Sequence, residues 1–164
     1  MKRFVAVILL LLFALSIPAA IPTCGKSSIP KGAYGVFSLP SCKVTANLYT
    51  CDNSTRAAQR VVDKEDCALW RPYSKGHAIL DHAYSIAGSG VWIVNEFKVG
   101  DYGTLQTAKG KFKFQCTAVY LAKMNKYVFK YGKETIAVKK GDLICACCAD
   151  EDGLYYVAYF KRAK

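Results

Sequence analysis

Histidine is nearly absent from this 164-residue chain: there are two, His77 and His82, and both lie in one short apolar stretch. So few imidazoles confine any nucleophile–histidine chemistry to that stretch. Acidic residues are sparse as well, 12 against 23 lysines and arginines, for a net charge of +11. Such a balance favours anionic surroundings, for example cell-wall polymers, acidic lipid surfaces or nucleic acid. No dense basic run and no recognition motif accompanies the charge, so nucleic acid is not expected as a partner. No linker, repeat or low-complexity stretch divides the chain, which excludes a multi-domain or solenoid organisation.

What is present begins with a leader. Met1-Lys2-Arg3 is basic, Phe4 to Ile17 is almost uninterruptedly apolar, and Pro18-Ala19-Ala20 and Thr23 offer small residues. This is the layout of a secretory signal peptide over residues 1–23, too short in its apolar part for a good membrane span. The expected location is secreted or on the extracytoplasmic cell surface. Membrane attachment would need either an uncleaved leader or lipidation of Cys24, for which Pro22 and Thr23 make a poor signal. Residues 24–164 are enough for one domain with a single core. Without Lys2 and Arg3 the net charge is still +9.

Eight cysteines, at 24, 42, 51, 67, 116, 145, 147 and 148, all follow the leader. In an exported domain they predict disulfides, with Cys51 and Cys67 among the participants because they flank a helical segment at moderate separation. Their spacing repeats no zinc-ligand pattern, so neither a metal nor a cofactor is expected. Cys147 and Cys148, being adjacent, would form a strained bridge with each other.

Three cysteines crowd the end of Gly141-Asp142-Leu143-Ile144-Cys145-Ala146-Cys147-Cys148, an apolar run bounded by acidic turns that predicts a buried strand. Alternation puts Cys145 and Cys147 on one face and Cys148 on the other, at the strand end beside a polar turn. His77 to His82 predicts another strand, with His82 at its end and His77 at its start. Further strands are expected over Tyr34 to Leu39, Cys42 to Tyr49, Tyr102 to Thr107, Lys111 to Leu121, Tyr127 to Tyr131 and Leu154 to Phe160, the last forming a hairpin with the cysteine-rich strand. Arg56 to Asp63 is the best helical segment, and Val91, Val94 and Phe97 predict a short turn of helix before the Gly100-Asp101 turn. Asn53-Ser54-Thr55 matches a glycosylation acceptor. The expected class is all-β, a small barrel or sandwich with one or two short helices.

Taken in order, the segments resemble those of the sortase family. Phe37-Ser38-Leu39-Pro40-Ser41-Cys42-Lys43-Val44 resembles the family's opening strands, and Ala78-Ile79-Leu80-Asp81-His82 the strand that ends in the catalytic histidine. Val91, Val94 and Phe97 leading into Lys98-Val99-Gly100-Asp101 resemble its apolar triplet before a Gly-Asp turn. Asp142 to Cys148 resembles its strand ending in threonine-cysteine, with Cys147 in the threonine's place. The resemblance implies a single eight-stranded β-barrel, a peptide or surface-polymer substrate, Cys148 as a nucleophile on a carbonyl carbon and His82 as the proton-handling group. It also implies an arginine opening the strand after the cysteine, to stabilise an oxyanion. That strand begins Leu154-Tyr155-Tyr156 instead, and Arg162 lies beyond its far end. Asp81 stands where the catalytic enzymes usually have glycine. Tyr155 or Tyr156 would be a neutral replacement donor, weaker than a guanidinium. The sequence is therefore compatible with a cysteine transpeptidase or peptidase, with a non-catalytic sortase-fold binding protein, and with an unrelated disulfide-stapled secreted β-domain.

Overall fold

Alternating apolar and polar side chains turn most of the chain into strands. The computed structural model describes residues 29–51, 60–61, 67–81, 90–125, 128–149 and 153–164. In chain order the strands are β1 (Gly35–Leu39), β2 (Val44–Thr50), β3 (Cys67–Tyr73), β4 (Gly76–Asp81), β5 (Tyr102–Thr107), β6 (Gly110–Asn125), β7 (Val128–Tyr131), β8 (Glu134–Thr135), β9 (Leu143–Cys148) and β10 (Leu154–Arg162). They form one sheet in the order β10-β9-β4-β3-β2-β1-β5-β6-β7-β8, and a further pairing of β10 with β6 closes it. Eight strands therefore make the barrel, as expected, while β7 and β8 hang from β6 outside the ring. Two neighbouring pairs run parallel, β2 with β3 and β4 with β9.

Several segments depart from expectation. Cys42 belongs to a 3-10 turn, Pro40–Cys42, rather than to β2. Pro40 has no N–H to give a strand and opens the turn, which closes with a Lys43 N–H to Pro40 O bond of 3.1 Å. Strand β3 has no counterpart among the expected elements, because Arg71 and Pro72 interrupt its apolar pattern. Pro72 is tolerated there because β2 pairs with β3 only as far as Trp70, so Pro72 faces no strand on that side. Of the expected helix Arg56–Asp63, Arg60 and Val61 are helical and the rest lies outside the described residues, as do the leader, Cys24 and Asn53-Ser54-Thr55. Among the described residues no helix is long and apolar enough to cross a membrane.

Two apolar cores flank the sheet. The barrel interior holds side chains from all eight ring strands, among them Phe37, Leu48, Ile79, Phe114, Leu143 and Phe160. The 3-10 helix Val91–Glu96 plugs one end with Val91 and Val94, both wholly buried, and with Phe97 just after it. A second core lies on the outer face of β3, β4, β9, β10 and β6, beneath a strap formed by β7, β8 and residues 136–138. It contains Tyr73, Ala78, Phe129, Ile136, Val138, Ile144, Ala146 and Val157. A register shift between Tyr159 and Phe160 makes β6 serve both. Its even-numbered residues face inward up to Cys116 and outward from Ala118 on, the change of face that one extra residue imposes.

Among the described cysteines no disulfide is formed. Cys42, Cys51, Cys116, Cys145, Cys147 and Cys148 are all thiols. Cys116, Cys145 and Cys147 are buried in the barrel interior and Cys42 packs against it, so these four fill space as small apolar side chains. Cys51, expected among the disulfide participants, is one of the thiols; the side chain of Cys67, expected likewise, lies outside the described residues.

Candidate active site

Strand β9 ends at the rim of the barrel that the Val91–Glu96 helix plugs. Cys147 points inward there, and its thiol donates to the backbone oxygen of Trp92 at 3.0 Å. Burial pushes the thiols of this strand and its neighbours up: Cys147 to about 12, Cys116 to about 11 and Cys145 well above its ordinary value. None of the three is a thiolate near neutral pH. Cys148 is different in place: it is partly exposed, on the outer face, one residue beyond the interior.

The parallel register brings the end of β4 beside it. Ile79 pairs with Cys145, Leu80 with Ala146 and Asp81 with Cys147. One residue further along the two chains stand His82 and Cys148. His82 itself lies outside the described residues. Asp81 is 6 % exposed, and its charge adds to the upward push on Cys147. His77 is at the other end of β4, opposite Leu143. It stacks on Trp70 with ring centroids 4.3 Å apart, and burial lowers it below 6.5. The strand thus places His77 a full barrel height from Cys148, and the two do not meet.

On the other side of β9, β10 resolves which tyrosine faces the thiol. Tyr156 pairs with Cys147 and shares its inward face, while Tyr155 pairs with Cys148. Cross-strand partners share a face, so the Tyr155 side chain and the Cys148 thiol are neighbours on the outer face. Tyr155 is pushed up by burial first and by the neighbouring sulfur next, with Arg71 acting in the opposite sense. Arg162 is remote, as the sequence implies: it pairs with Phe114, its guanidinium lies 4.4 Å from the Phe112 ring centroid, and its backbone N–H donates to Asp142 Oδ1 at 2.9 Å.

Arg71 is the residue that reading the sequence missed. It sits in β3 opposite Ala78, on the outer face, and only 6 % of its surface is exposed. The available signal is a lone charge directly after the apolar run Ala68-Leu69-Trp70, before Pro72-Tyr73. Among the described residues no three His, Cys, Asp or Glu side chains gather as a metal site would need.

No protein-family model matches the sequence, and no curated protein matches it significantly. Solved structures do. Sortase C1 from Streptococcus agalactiae superposes with a TM-score of 0.61 at 14% identity, over 84% of this chain and 71% of that one. Its lid mutant gives 0.62 at 11% identity, over 82% and 71%. Sortase C from Clostridium perfringens, solved with the C-terminal cell wall sorting motif, gives 0.61 at 10% identity, over 84% and 74%. At these identities the likeness is one of architecture, and the chain has a sortase-like fold.

Proposed function

We propose that this is an exported, sortase-like cysteine acyl-transfer protein of the cell surface, with Cys148 as nucleophile and His82 as the group that moves protons. The observation that carries the reading is the parallel β4–β9 register, which ends at Asp81 opposite Cys147; Cys148 is the next residue of β9, and His82 is the next residue of the sequence after Asp81. The basic leader and the strongly positive mature chain support export toward an anionic surface. The C. perfringens enzyme with its sorting motif supports a peptide as the class of substrate.

In this reading the Cys148 thiolate attacks a peptide carbonyl carbon and forms a C–S bond, while the carbonyl electrons move onto oxygen. The Tyr155 hydroxyl, opposite Cys148, donates to that oxyanion. Collapse breaks the C–N bond, and His82 gives its proton to the departing amine. An incoming amine or water then attacks the thioester, loses a proton to His82 and releases the thiolate.

Alkylation with mass mapping tests the assignment. Cys148 labels fastest near neutral pH, His82→Ala slows it about tenfold or more, and a peptide substrate leaves a thioester on Cys148. Labelling that ignores His82→Ala, or that falls on Cys147, removes the nucleophile assignment. A second reading, a binding protein without turnover, is favoured by one observation: β10 opens Leu154-Tyr155-Tyr156 with no cation. Peptide binding with no thioester would establish it.

A further inference from the structure

A phenol facing a thiol is a neutral donor, and a neutral donor holds an anion less strongly than a charged one. The outer face carries a charge that addresses this. Cross-strand partners share a face, so Arg71, opposite Ala78, and Ala78, opposite Ile144, lie on the same surface as Ala146, Cys148 and Tyr155. Tyr73, two residues on from Arg71, is on that surface too. The strap draws the two tyrosines together. Phe129, wholly buried, packs on Tyr73 at 5.7 Å and on Tyr155 at 5.3 Å between ring centroids, and its N–H donates to the Tyr73 hydroxyl at 2.8 Å. Arg71 is buried in the same region, with a charge that acts on both phenols. A guanidinium stays ionised there.

We propose that Arg71 is a positioning residue of this site, delivered from β3 across the outer face, whose guanidinium acts through the Tyr155 hydroxyl on Cys148. The inference rests on the reading of Cys148 as the nucleophile. It converts Tyr155 from an isolated phenol into a donor backed by positive charge, so that the cation of the site comes from the third strand rather than from β10. The other groups around the pair come from every neighbouring strand. Cys147 and Asp81 lie behind β9 and at the end of β4, and His82 follows in the chain. On β6, Ala122 faces Tyr155 and Lys123 is exposed beside it; Phe129 covers the pair from the strap. Of these, Arg71 is the buried cation that acts on the Tyr155 phenol.

The test uses the full mature chain in parent, Arg71→Lys and Arg71→Gln forms, each with and without Tyr155→Phe. Tyr155 titration is followed by carbon-13 tyrosine NMR, and Cys148 alkylation is timed at pH 7. With Arg71→Gln, Tyr155 titrates at higher pH and alkylation slows by about three- to tenfold, the size expected for removing one partly screened charge. Arg71→Lys stays close to the parent. In the Tyr155→Phe background, Arg71→Gln slows alkylation no further. An unmoved Tyr155 titration overturns the proposal, and so does equal slowing in both backgrounds, because Arg71 would then act without Tyr155. The phenol titration is read whether or not Cys148 reacts. A failed nucleophile assignment leaves the Arg71-dependent shift in place, whereas a failed Arg71 assignment abolishes it.

Discussion

His77 stacks on Trp70 and is held neutral by burial, below its ordinary 6.5. A base whose folded value is lowered binds fewer protons in the native state than in the unfolded one, so its contribution to stability is complete above 6.5 and is lost as the pH falls through that region. His77→Phe keeps a ring against Trp70 and removes the titration. Thermal unfolding of the parent is therefore expected to lose more in Tm between pH 7 and pH 5 than that of His77→Phe. Equal losses would mean that His77 does not contribute to acid sensitivity. At this scale the sequence was informative wherever alternation alone decides. It separated inward Cys145 and Cys147 from Cys148, and it set His77 at the start of its strand. It was silent on Arg71 and on the choice between Tyr155 and Tyr156, because both depend on which strands become neighbours and in what register.

Among elements, the strap is what distinguishes the outer face of this barrel. It is tied down at the β3–β4 turn, where the Lys75 N–H bonds Val138 O at 3.0 Å, and at Asp142, whose Oδ2 accepts from the Tyr159 hydroxyl at 2.9 Å. Gly76 lies beneath this junction. A β-carbon there would meet the Val138 side chain and come within 2.5 Å of Asp142 O and 2.6 Å of Lys139 O. The requirement is one of space and not of backbone angle. Gly76→Ala is expected to lift the strap or displace β4, costing about 1–3 kcal/mol as overpacking does. Urea unfolding with unchanged stability would show that the junction gives way freely. Most strands and the Val91–Glu96 turn were legible from alternation, from the three-residue spacing of Val91, Val94 and Phe97, and from Gly100, whose φ of 100° suits the turn. β3 was not, since Pro72 and Arg71 are poor strand residues that only its place beside β4 makes acceptable. Nor was the change of face in β6, because one bulge alters which side chains are inside without altering composition.

For the whole molecule, closure depends on pairings far apart in the sequence, β10 with β6 and β4 with β9. No local pattern encodes those partners, so the resemblance supplied the barrel and residue chemistry alone did not. These long-range pairings also form slowly compared with local turns. That delay bears on the thiols. Once the barrel shuts, Cys116, Cys145 and Cys147 are sealed inside it, and Cys42 packs against them; until then they are as reactive as any others in the chain. Under oxidising conditions folding is therefore a race between barrel closure and cross-linking, decided before the native state exists. Refolding of the reduced chain should give a high yield of native monomer when oxidant is added late and a low, scrambled yield when it is added at the start. Equal yields would show that closure outruns oxidation by a wide margin. The sulfur atoms that fill the interior thus set a deadline for folding, after which their own enclosure protects them.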